Sequence, residues 1–170
     1  MISQTTRLAA VLAVLATPSL ADMTVEFREG APKDRFVFRT DTGVCQDGPF
    51  RITLDLAGSA AGLIFDVTGQ GAGVEVYQPV ELVEGAEIVA TMSRVEDGDA
   101  VIVLDLLGLD AGQSVAFTVD VDDTLGGREI TVSDSEIVGA NVTLAAGSQT
   151  WSGTFSDRSI AQVDLPDCQA

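Results

Sequence analysis

Histidine is absent from this 170-residue chain. That absence removes Ser-His-Asp and Cys-His nucleophilic catalysis and the usual zinc ligand set. Cysteine is scarce: only Cys45 and Cys168 occur, at a spacing nothing like the Cys-x-x-Cys of a redox pair. Aromatic residues are few, with 7 Phe, 1 Tyr and 1 Trp. An outer-membrane barrel needs aromatic girdles at both interfaces, and a sugar-binding cleft needs stacking surface, so both are poorly served. Basic side chains number 9 against 26 acidic ones. Nucleic acid and anionic membrane surfaces, which require clustered Lys and Arg, are therefore poor partners. Beyond the first 21 residues no apolar run is long enough for a membrane-spanning helix. Nor does any long window carry a helical stripe. The best one, Glu81 to Met92, contains Gly85 and the β-branched Val83, Ile88 and Val89, and reads as loop plus strand.

What is present begins with an export signal. Arg7 is the only charge before Ala21. An apolar run from Leu8 to Ala16 follows it, then Thr17-Pro18 and Ser19-Leu20-Ala21 with small residues flanking a cut. This layout predicts a cleaved signal peptide over 1–21, and a secreted or periplasmic mature protein over 22–170 folded as a single domain. In an oxidising space two lone cysteines pair, so a Cys45–Cys168 disulfide is expected. The loop it would close corresponds to about 4–5 kcal/mol in the chain-entropy picture. Removal of Arg7 leaves 8 basic and 26 acidic residues, a net of −18. Almost all of this excess lies after Arg51, where 3 basic residues face 20 acidic ones. Divalent cations, basic proteins and neutral glycans stay open as partners, and a solvated acidic surface explains such charge without any partner.

The dominant period is two. Val115, Phe117, Val119 and Val121 alternate with Ala116, Thr118, Asp120 and Asp122. The same alternation runs through Val25–Phe27, Phe36–Phe38, Ile52–Leu56, Ile102–Leu106 and Val138–Leu144, and Trp151 shares a face with Phe155. Leu63 to Val67 reads as a short, more deeply buried strand. Turns fall at Gly30-Ala31-Pro32, Asp47-Gly48-Pro49, Asp97-Gly98, Asp110-Ala111-Gly112 and Gly126-Gly127. The pattern predicts an all-β fold, an immunoglobulin-like antiparallel sandwich of about 8–10 strands.

Two stretches carry candidate chemistry. In Asp120-Val121-Asp122-Asp123, period two places Asp120 and Asp122 on one face, and Asp123 begins a turn. Three carboxylates at a strand end supply the hard oxygens that calcium prefers, and Asp55 and Asp105 stand near other strand ends. The alternation makes this face wet, which equally suits an acidic edge that discourages aggregation. The second stretch runs from Gly62 to Glu75, a strand leading into the glycines 69, 71 and 73. It contains no Lys, which excludes a Walker loop, and Val74 to Tyr77 reads as another strand, which argues against a Rossmann turn. Glycines here signify a left-handed or closely packed loop. Carboxylate pairs such as Asp66 with Glu75, or Asp120 with Asp122, leave a glycosidase-type hydrolase open. Asn141-Val142-Thr143 is a glycosylation sequon.

Three segments point further: Glu29 to Phe36, 62–83 (GLIFDVTGQGAGVEVYQPVELV) and 116–140 (AFTVDVDDTLGGREITVSDSEIVGA). Together they resemble the secreted bacterial proteins of the aggregation factor core family, themselves similar to a region of the sponge aggregation factor core protein. The resemblance runs from about Val25 to Val142 and carries no catalytic motif. It implies a non-catalytic binding or adhesion module in cell–cell or cell–matrix association. Extracellular protein, glycan or a second copy would be the partner, and calcium, as in sponge adhesion, the ion. The chain departs from an adhesive assembly in having no repeat array. Two alternatives accompany this reading, the carboxylate-based hydrolase and a structural subunit that assembles by strand addition.

Overall fold

Alternating side chains settle into two layers. The computed structural model describes residues 21–41, 48–73, 76–125 and 132–165. In chain order the strands are β1 (Ala21–Arg28), β2 (Asp34–Thr40), β3 (Phe50–Asp55), β4 (Ile64–Phe65), β5 (Glu81–Glu84), β6 (Val89–Met92), β7 (Val101–Leu106), β8 (Ser114–Val119), β9 (Val121–Asp122), β10 (Asn141–Ala146), β11 (Gln149–Thr154) and β12 (Ile160–Leu165). One five-stranded antiparallel sheet has the order β12-β1-β2-β8-β5 and the other β11-β10-β3-β7-β6, while β4 and β9 form a two-stranded sheet. The all-β expectation holds at this level. The immunoglobulin-like detail does not, because that fold sets four strands against three in its constant form, whereas here five face five.

Cross-strand register explains the core. Phe27 lies opposite Phe36, and Phe36 opposite Phe117, so a row of rings crosses β1, β2 and β8. Their centroids are 5.1 and 5.3 Å apart, and Phe38 stacks on Phe117 at 5.9 Å. Such spacings suit tilted or offset aromatic packing. The second sheet answers with aliphatic rows: Leu144, Ile52 and Leu104 in one, Val142, Leu54 and Ile102 in the next, all fully buried. Side chains of both sheets join one hydrophobic cluster.

Three expectations change. Glu81–Met92 forms two short edge strands, β5 and β6, one in each sheet. Residues 76–80 are not a strand. The Cys45–Cys168 disulfide is withdrawn: no disulfide occurs among the described residues, and both cysteines lie outside them. Residues 1–20 of the predicted signal segment 1–21 also lie outside them, as do Glu75 and the Gly126-Gly127 turn. Among the described residues no helix is long and apolar enough to cross a membrane.

Strand addition finds little purchase at the β5 and β6 edges. Glu81 and Glu84 flank β5, and the register shifts in both β5 and β6. Charge, brevity and irregularity are the usual protections of an exposed edge.

Candidate metal centre

The site grows from the smallest sheet. In the β4–β9 pair, Ile64 faces Asp122 and Phe65 faces Val121. The ladder continues by one residue, since Asp66 N donates to Asp120 O at 3.1 Å. Asp66 therefore lies opposite Asp120 and diagonal to Asp122. Phe65 and Val121 point into the core, so all three acids share the other face. A carboxylate oxygen from each of Asp66, Asp120 and Asp122 lies within 4.8 Å of the other two.

This face is not wet. Asp66 is 1% exposed, Asp120 5% and Asp122 3%. The glycine-rich loop after Asp66 covers them. Gly73, at φ +139°, comes so close that a Cβ there would stand 2.3 Å from the Asp66 carboxylate and 2.9 Å from Asp122 Oδ2. Only glycine tolerates both the left-handed backbone and the approach. The loop is therefore the closely packed one that its glycines predict. Gly73→Ala should push it off the acids and lower the melting temperature, by about 1–3 kcal/mol of lost stability. A differential scanning fluorimetry trace superposable on wild type would contradict this packing.

The electrostatics are severe. Two unit charges 4–5 Å apart repel by about 3–4 kcal/mol at an effective dielectric of about 20. Burial pushes the Asp120 carboxyl up to about 7, and the neighbouring Asp122 and Asp66 charges add to the rise against the opposing Val121 N–H. Asp120 Oδ2 is fully buried and meets no hydrogen-bond donor. Asp34 on β2 borders the group. Burial raises its carboxyl to about 7 as well, with Asp120 and Glu29 contributing, although Gly30 N and Val121 N donate to it at 3.1 and 3.2 Å. Five of the seven described basic side chains pair with acids outside the group: Arg28 with Glu26, Lys33 with Glu81, Arg35 with Glu84, Arg51 with Asp105 and Arg94 with Glu96.

Of the three acids expected to bind calcium, Asp120 and Asp122 converge. Asp123 is buried but is not one of the three that meet, and Asp66 completes the group. Asp55 and Asp105 are in the other sheet, where Asp55 accepts from Ala57 N and Asp105 from Arg51 and Thr91. The sequon residue Asn141 sits mid-sheet between β3 and β11, half-buried, with Thr143 Oγ1 donating to its carbonyl at 3.2 Å. This is a poor acceptor for a glycan, which is attached at surface loops.

Chemically, oxygens that share one calcium at about 2.3–2.6 Å lie no more than about 5 Å apart. The three carboxylates meet that limit, and an all-carboxylate set suits calcium, magnesium or manganese rather than softer metals. No family model matches the chain, and no curated protein matches it either.

Proposed function

We propose that this chain is an exported, non-catalytic binding module whose Asp66, Asp120 and Asp122 hold a calcium ion, and that it acts in cell–cell or cell–matrix contact. One observation carries the ion. Three buried carboxylates converge beneath Gly73, and one of them, Asp120, turns a hydrogen-bond-orphaned oxygen into the interior. A cation offsets their mutual repulsion and supplies the partner that the orphaned oxygen lacks. Calcium fits better than magnesium, because magnesium keeps several waters and demands near-octahedral geometry, for which a covered site leaves little room. The contact role and the location outside the cytoplasm are supported by the resemblance of 29–36, 62–83 and 116–140 to the aggregation factor core family and by the export signal over 1–21.

Residues 22–170, stripped with chelator, should melt several degrees higher in millimolar calcium than in equal magnesium. Occupancy at 100 times the dissociation constant is worth about 2.7 kcal/mol. An unchanged melting temperature would remove the ion. Size-exclusion chromatography tests the contact role separately: reversible association on adding calcium supports it, and a monomer with and without the ion sinks it.

A further inference from the structure

We propose that Asp97 is the positioning residue of the cation site: it holds the loop after Asp66 so that Gly73 closes over the carboxylates. The inference rests on the calcium reading above. Asp97 belongs to the turn between β6 and β7, and it is not one of the converging acids. Its Oδ1 accepts from Val67 N at 2.8 Å and from Thr68 N at 2.7 Å. Its Oδ2 accepts from Thr68 Oγ1 and, at 3.4 Å, from Gln70 N. A single carboxylate thus gathers the donors of the first residues beyond Asp66.

The rest of the turn grips the other side of Asp66. Gly98 N donates to Phe65 O at 2.9 Å, and Phe65 N donates to Asp99 O at 2.8 Å. Two glycines permit the loop to wrap this closely. A Cβ on Gly71 would stand 2.3 Å from Asp97 Cβ, and one on Gly98 would stand 3.3 Å from Ala72 Cβ. The loop therefore bends around Asp97 and reaches Gly73 two residues later, directly over Asp66 and Asp122. Loss of the Asp97 carboxylate releases Val67, Thr68 and Gln70 together, and with them the cover of the site.

Calcium titration calorimetry at 20 °C, on chelator-stripped 22–170, tests this with wild type, Asp97→Ala, Asp97→Asn and Asp110→Asn. Asp97→Ala should weaken calcium binding about 10–100-fold, the usual cost of losing a group that orients a metal site. Asp97→Asn keeps one acceptor oxygen for the Val67 and Thr68 amides and should fall between Asp97→Ala and wild type. Asp110→Asn, at an exposed acid in the connection between β7 and β8, should bind as wild type does. A merely structural Asp97 would lower the metal-free melting temperature yet leave the affinity of the folded protein within twofold of wild type, and that result overturns the inference. If Asp97→Ala does not fold, an Asp97→Asn affinity equal to wild type overturns it alone. A wild type that takes up no calcium defeats the calcium reading itself, a different result from wild type and variants binding alike.

Discussion

Asp120→Asn will stabilise the metal-free protein at pH 8 and erase its response to calcium. Removal of a buried, hydrogen-bonded polar group ordinarily destabilises, so the sign is diagnostic. Asp120 is buried beside Asp122 and Asp66, and Asp34 approaches it from β2. Its carboxyl is raised from 3.8 to about 7, chiefly by burial. A folded value above the unfolded one gives stability that is fully present below about pH 4. That stability is lost as pH rises through 7. Asp34 is raised to about 7 also and works in the same direction. The chelated wild type should therefore melt at progressively lower temperature from pH 4 to pH 8. Asparagine carries no charge, so Asp120→Asn should flatten part of this slope. It should gain about 1–3 kcal/mol at pH 8, less than the full charge penalty because the buried amide needs partners of its own. Calcium should restore the wild type at pH 8 and leave the variant unmoved. A variant less stable than wild type across the whole range, with chelator present, would show that the acids do not oppose one another.

How much of this was legible beforehand follows from what alternation encodes. Period two correctly placed Phe117, Val119 and Val121 on the core side and paired Asp120 with Asp122 on the other. It could not say that the second face would be covered. That cover is tertiary: the loop 67–73 folds back over β4 and β9, held by a turn some thirty residues downstream. Hence the acids read as wet and proved buried. Asp66 is legible as a nominal carboxylate partner of Glu75, but its place opposite Asp120 depends on the β4–β9 register, which two-residue strands leave unmarked. Strand β12 carries the same signal, although it is not among the alternating stretches given above. Ala161, Val163 and Leu165 alternate with Ile160, Gln162 and Asp164 as cleanly as any other strand, and all three are buried. Edge strands β5 and β6 were hard to see for the opposite reason. Their burial is weak and their pairing irregular, so packing imposes little period on them.

The largest loss of stability should come from Phe117→Ala. Its ring is fully buried and lies against both Phe36, at 5.3 Å, and Phe38, at 5.9 Å. Truncation deletes both ring contacts and opens a cavity at the β8 end of the aromatic row, a change that costs about 3–5 kcal/mol. For a domain of about 150 residues, that corresponds to a fall of roughly 10–15 °C in melting temperature. Phe117→Leu, which refills part of the space, should recover about half. The consequence reaches the acidic site, because β8 runs straight into β9 and Val119 and Val121 continue the face that Phe117 begins. Slip of this strand by one residue would exchange its core and acidic faces. The packing that buries Phe117 therefore also fixes which way Asp120 and Asp122 point. Chemical denaturation in chelator checks the magnitude: a loss under about 1 kcal/mol would mean that the aromatic row is not the core of this sheet. Phe117→Ala should remain folded at 15 °C but bind calcium more weakly than Phe117→Leu, and equal affinities would separate the row from the site.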